Sequence, residues 1–246
     1  MEPLASVQEA LGRADHEEVL RLTDVILAER PGDDAAHELR ARSLLAVGRV
    51  EEAERHAADA VRLDPDEIRY RELMAEVLSA EGAHRDAAAE YARLARNDPR
   101  QQAWILAEAG ERLDADQAGR AAEAARRAVR LDPADADAQL ALARALLRAG
   151  DPAGALRAAT AAAELRPGDP RARETLADAR WMSNHDAAAF AEFRSLAAEL
   201  DGGERDRVIH KARSLYGQHA GWAGRVVLAV PGIFRFALAR GWIAVR

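Results

Sequence analysis

Pro31, Pro65, Pro99, Pro133 and Pro167 stand 34 residues apart. A proline cannot donate into a helix and biases the preceding residue away from the α region, so each of these ends a helical stretch. The hexapeptide AVRLDP at 60–65 returns at 128–133, two periods later. Small residues keep the same register: Ala53, Ala87, Ala121, Ala155 and Ala189 form one series, and Ala41, Ala75, Ala109, Ala143 and Ala177 another. A period of this length is that of a helix–turn–helix unit that buries its apolar side only by stacking on its neighbours. Alanine suits sites where a ridge of one helix lies in the groove of the next.

The remaining punctuation fits two helices per period. Gly48, Gly82 and Gly150 occupy the turn between them, where a left-handed cap favours glycine, and Asp116 and Asn184 take that place in two copies. Leu44, Leu78 and Leu146 fill a further core position, which Arg112 and Arg180 take in those same two copies. Asp33 or Asp34, Asp66, Asp135 and Asp169 are placed to cap the helices that follow the prolines.

Composition agrees. The chain of 246 residues is 49% apolar but only 4% aromatic, so its core is built from Ala, Leu and Val, and strong helix formers dominate throughout. No run alternates in the manner of a strand. The expected fold class is all-α. Without cysteine there is neither a disulfide nor a thiolate ligand or nucleophile. Lys211 is the only lysine beside many arginines, a bias of GC-rich bacterial coding. The acidic start MEPLASVQEALGRADHEE lacks the basic and apolar pattern of a secretory signal, so a cytoplasmic body is expected. Charge is uneven: residues 1–201 carry −13 and residues 202–246 carry +6, of a total of −7. An acidic body repels phosphate, and no nucleic-acid partner is expected.

The 34-residue spacing with its Ala, Gly, Ala and Pro landmarks resembles the tetratricopeptide repeat family over residues 1 to about 200. Full copies run about 34–67, 68–101, 102–135, 136–169 and 170–201, after a weaker first copy at 1–33 with Val19 in an alanine place. Two places depart from the family pattern. The aromatic at the start of the first helix is replaced by His37, Arg71, Ile105, Gln139 and Arg173, and the family's close-packing glycine is alanine throughout. The resemblance implies a right-handed superhelical solenoid of about six units, whose first helices line a concave groove that holds peptides or partner helices. On those helices the groove-facing residues are expected to be Glu38 and Arg42; Glu72, Glu76 and Ser79; Leu106, Gly110 and Leu113; Leu140, Arg144 and Leu147; and Glu174, Asp178 and Trp181. Apolar side chains on such a surface suggest a binding patch, although Trp181 is equally suited to packing under the C-terminal tail. Members that clamp a carboxylate terminus use Lys and Asn where Glu38, Arg42 and Leu73 stand, so that role is not implied.

No catalytic constellation is present. Seven scattered histidines include no pair three or four apart on one helix, and there is no phosphate loop, nucleophile elbow or dinucleotide fingerprint. No metal, cofactor or enzymatic activity is expected. Residues 202–246 form a separate basic, apolar tail. Residues 203–217 read as an amphipathic helix with Val208, Ile209, Ala212 and Leu215 on one side. The segment that follows carries Trp222, Arg225, Phe234, Arg235, Phe236, Arg240 and Trp242, a pattern suited to a helix lying at a membrane surface. It is marginal as a span, since Arg235 near its centre costs about 2.5–3.5 kcal/mol. The expected function is a non-enzymatic adaptor for protein or peptide partners, tethered by this tail to the inner membrane face. The rival readings are a regulator whose tail packs on the repeats or blocks the groove, and a substrate-presenting subunit of an enzyme complex.

Overall fold

The computed structural model describes residues 3–219, 231–239 and 243. Among them there is no strand, and fourteen helices follow in order: α1 (Pro3–Gly12), α2 (His16–Glu29), α3 (Asp34–Ala46), α4 (Val50–Leu63), α5 (Ile68–Glu81), α6 (His84–Asn97), α7 (Gln102–Asp114), α8 (Ala118–Leu131), α9 (Ala136–Ala149), α10 (Pro152–Leu165), α11 (Pro170–Met182), α12 (Asp186–Glu199), α13 (Gly202–His219) and α14 (Pro231–Ala239). The chain is all-α, as its composition and period require. It forms two compact units, residues 1–117 and 118–246. Within each, consecutive helices pack as antiparallel hairpins, and first helices of adjacent hairpins also touch, α3 against α5 and α9 against α11.

The alanine series accounts for the close packing. All ten of its members are buried, so no side chain holds the paired helices apart. Around them sit Leu44, Leu73 and Val77 in the first unit, and Leu140 with Ala162 and Ala172 in the second. The turn between the helices of each pair passes through one left-handed residue: Ala14, Gly48, Gly82, Asp116, Gly150 and Asn184 have φ of 55°, 78°, 84°, 58°, 76° and 59°. This ladder also keeps the 34-residue period, and Ala14, a residue that sequence does not mark for such a place, completes it in the weak first copy.

Helix starts follow the expected chemistry with one change. The carboxylates of Asp33, Asp135 and Asp169 accept from the amides of Ala36, Asp137 and Arg171 at 2.8–2.9 Å. Ahead of α5 the cap is Glu67 rather than Asp66, its carboxylate accepting from the Arg69 amide at 3.4 Å.

The second unit closes on its C-terminal helices. Val208, Ile209, Ala212 and Leu215 of α13 are buried as their spacing predicts, and with Phe234, Ala237 and Leu238 of α14 they cover Phe190, Phe193 and Leu196 of α12. Tyr216 links the layers, its ring 6.0 Å from Phe190 and 5.8 Å from Phe234.

Candidate functional site

The expected groove residues fall into different situations in the two units. In the first, Glu38 is buried and ion-paired with Arg42 one turn on. Glu72 on α5 accepts a hydrogen bond from the indole N–H of Trp104 on α7. Beside them Ser79 Oγ donates to Glu111 Oε1 at 2.6 Å, and His84 Nδ1 lies 2.8 Å from Glu111 Oε2. Glu76 is exposed. Burial pushes the Tyr91 phenol up to about 12, reinforced by the negative charges of Glu76, Glu111 and Glu72. Those three carboxylates are thus near enough to the Tyr91 hydroxyl to oppose its ionisation, and Trp104 is bonded to one of them, Glu72. Leu106 and Leu113 of α7 are half-buried and Gly110 is exposed. Glu111, Tyr91 and Trp104 are missing from the sequence-based set, because only the α5–α7 and α6–α7 contacts bring them to it.

In the second unit Leu140 is buried, Leu147 half-buried and Arg144 exposed. The three residues expected on α11 are covered by α13. Glu174 takes Arg207 Nη2 and Lys211 Nζ, each at 2.8 Å; Asp178 takes Lys211 at 2.5 Å. The Trp181 indole donates to Gln218 at 3.1 Å and stands edge-on to Phe193. The tail helix, not a partner, occupies this stretch of the first-helix face.

The two covered carboxylates respond in opposite senses. Burial opposes the charge on Glu174, but hydrogen bonds from Arg207 and Lys211 outweigh it and hold its pKa below the usual value. At Asp178 burial dominates over the pull of Lys211, and its pKa is raised. Charged Glu174 thus contributes stability above the ordinary glutamate range, which is lost as pH falls through its depressed folded pKa. Charged Asp178 costs stability until pH falls below its raised folded pKa. We expect Glu174→Gln to lower unfolding free energy at pH 7 by about 1–2 kcal/mol, and Asp178→Asn to be neutral or stabilising. Urea unfolding at pH 7 and pH 3.5 checks both; the Glu174 effect should shrink at the lower pH.

Of the residues expected at a membrane, Phe234 is fully buried in the helical core, and Arg235 pairs with Asp206 at 2.8 Å. Phe236 is a helical position of α14, while Trp222, Arg225, Arg240 and Trp242 lie outside the described residues. No helix among the described residues is long and apolar enough to cross a membrane.

A second cluster joins residues that are far apart in sequence. His37 of α3 and His56 of α4 face each other with their Nδ1 atoms 2.9 Å apart, and Asp59 Oδ2 lies 3.9 Å from His37 Nδ1. Arg40 Nε donates to His56 Nε2 at 3.0 Å, and His37 Nε2 lies 3.0 Å from the Pro31 carbonyl. One proton arrangement satisfies all three contacts. A guanidinium only donates, so His56 Nε2 accepts; His56 Nδ1–H then donates to His37 Nδ1, and His37 Nε2–H donates to Pro31. Burial, followed by the charge of Arg40, lowers the pKa of His56 to about 4. Sequence spacing did not reveal this pair, because its members sit 19 residues apart on the two helices of one hairpin.

The comparisons with known proteins agree with this architecture. The tetratricopeptide repeat model matches residues 10–77, and again residues 106–170 and 140–204. No curated protein sequence matches the chain. Among solved structures, a tetratricopeptide repeat protein from Parabacteroides merdae superposes with a TM-score of 0.70 at 14% identity, over 95% of this chain and 97% of that one. YrrB, described as a repeat protein with an unusual peptide-binding site, gives 0.61 at 17%, over 77% and 96%. MamA from Desulfovibrio magneticus gives 0.61 at 18%, over 71% and 95%. At these identities the likeness is one of fold. The repeat models cover well over half of the residues, in register with the alanine series, the left-handed turns and the paired helices, and the chain belongs to the tetratricopeptide repeat family.

Proposed function

We propose that this protein is a non-enzymatic interaction adaptor that takes up a basic, partly apolar segment of a partner protein on the first-helix face of its first unit. The acidic cluster of Glu72, Glu76 and Glu111, whose charges reach Tyr91 and whose members bond Trp104, Ser79 and His84, carries this reading. These carboxylates, with Glu76 exposed, offer ion pairs to Arg or Lys, while the half-buried Leu106 and Leu113 offer apolar contact. Family membership and the peptide-binding site named for YrrB support a peptide or helix as occupant.

The fate of the tail favours the packed reading over the tether. α13 lies on Glu174, Asp178 and Trp181, and α14 buries Phe234. The tail thereby closes part of the face in the second unit and leaves the acidic face of the first to partners.

A synthetic peptide array probed with the full chain tests the proposal. Arg/Lys-rich peptides with interspersed Leu should be enriched, binding should weaken with added salt, and Glu76→Lys should reduce it at least about tenfold. An array without basic enrichment, or one unchanged by Glu76→Lys, overturns it.

A further inference from the structure

We propose that His37 Nδ1, His56 Nδ1 and the Asp59 carboxylate form a binding site for a divalent transition metal of the Zn2+ class, with its fourth position open to solvent. One ligand atom from each residue already lies within 4.8 Å of the others. Tetrahedral zinc places its donors about 2.0–2.1 Å from the metal, hence about 3.3 Å from one another. The 2.9 Å and 3.9 Å separations bracket that value, so small side-chain rotations suffice. Two imidazoles and a carboxylate suit a borderline ion better than Ca2+ or Mg2+, which take all-oxygen sites.

Three further features separate this cluster from a chance meeting of polar side chains. First, His37 Nε2–H is held by the Pro31 carbonyl, which fixes the tautomer with the Nδ1 lone pair turned into the cluster. A backbone carbonyl in that place is the usual outer partner of a metal-binding histidine. Second, His56 and Asp59 stand three residues apart on α4, so one rigid helix presents two of the three ligands on the same side.

Third, the repeat supplies its own comparison. The places of His37 and His56 are held elsewhere by Arg71 with Glu90, 3.3 Å apart, and by Arg173 with Glu192, 2.7 Å apart. Arg71, like His37, also donates to the proline carbonyl six residues before it, at 2.9 Å. An ion pair therefore satisfies the structural need at this site. In the 34–67 copy alone both members are imidazoles. There too Asp59 stands where other copies have Arg93, Arg127, Ala161 and Ser195.

Arg40 sets the limit on affinity. When His56 Nδ1 binds metal, its proton leaves that atom and the ring carries one on Nε2, which then faces the Arg40 Nε–H. Arg40 must give up that contact while its Nη1 keeps Asp24 at 2.7 Å and the Leu20 carbonyl at 2.9 Å. Its charge also opposes the metal, and Asp59 offsets it.

Titration of the untagged full chain with Zn2+ at pH 7.5 against a chromophoric chelator tests the site. One equivalent should bind, raising the unfolding temperature, and Co2+ should give the intense d–d absorption of a tetrahedral site. His37→Ala and His56→Ala should each weaken binding at least about tenfold, and the near-isosteric Asp59→Asn should weaken it by several-fold, with helical content checked by circular dichroism. Unaltered affinity in a folded His variant or in Asp59→Asn, or an octahedral Co2+ spectrum, overturns the proposal.

Discussion

A chain ending at Asp201 is expected to lose the cooperative fold of its second unit. Its missing helices supply Val208, Ile209, Leu215, Phe234 and Leu238, all buried, and α12 would be left with Phe190, Phe193 and Leu196 uncovered. Burial of each large side chain contributes about 1.5–3 kcal/mol, so five of them amount to roughly 10 kcal/mol, comparable with the whole stability of a domain. The ion pairs of Arg207 and Lys211 with Glu174 and Asp178 would go as well, and those carboxylates would return to solvent. Trp181 reports the change directly, since its indole bonds to Gln218 and its ring rests on Phe193. Its emission should shift to the red, the chain should bind a hydrophobic dye, and urea unfolding should lose the transition that belongs to this unit. Repeat arrays are stabilised by nearest-neighbour contacts, so helical signal from residues 1–117 should persist. An unchanged midpoint would mean that α13 and α14 are only appended to the array. The same reasoning governs any test of membrane attachment. Failure of the 1–201 chain to float with vesicles would report exposed core rather than a missing anchor. Arg235→Glu, which alters only an exposed pair with Asp206, is the cleaner comparison.

The period in the prolines and alanines made the hairpin stack legible, because close packing of helices has a one-letter signature: every alanine of the two series is buried. The turn residues were legible for the same reason, and Asp116 and Asn184 take the left-handed conformation that Gly48 takes. Ala14 was not, since alanine gives no local sign of positive φ; the stacking of α1 on α2 imposes it. The face of the first helices was read less well. Spacing identifies which side a residue occupies but not what lies over it, and Glu174 is buried because α13 delivers Arg207 and Lys211 onto it. The histidine pair shows the same limit. Only the register between the helices of a hairpin, visible in Arg71–Glu90 and Arg173–Glu192, reveals that residues 19 apart meet.

A pairing within one helix explains how an arginine occupies a core position, and it leads to a large effect. Arg112 stands where Leu44, Leu78 and Leu146 stand in other copies. It is tolerated because Glu108, one turn earlier, takes its Nε at 2.8 Å, and Gln117 takes Nη1 at 3.2 Å. The pair is largely shielded, with side-chain exposures of 18% for Arg112 and 5% for Glu108. Removing one member of a buried pair leaves an uncompensated charge, so Glu108→Leu is expected to cost about 3–5 kcal/mol. Removing both need not. The 136–169 copy carries Leu142 and Leu146 at the same two places, the first half-buried and the second buried. The double variant Glu108→Leu/Arg112→Leu should therefore return to the stability of the parent or exceed it by about 1–4 kcal/mol. Urea unfolding of the parent, both single variants and the double variant closes the cycle, and a coupling energy of several kcal/mol is the expected result. If the double variant is no more stable than Glu108→Leu alone, the pair is not an interchangeable substitute for the apolar core. Glu108 would then be needed for another contact of its own.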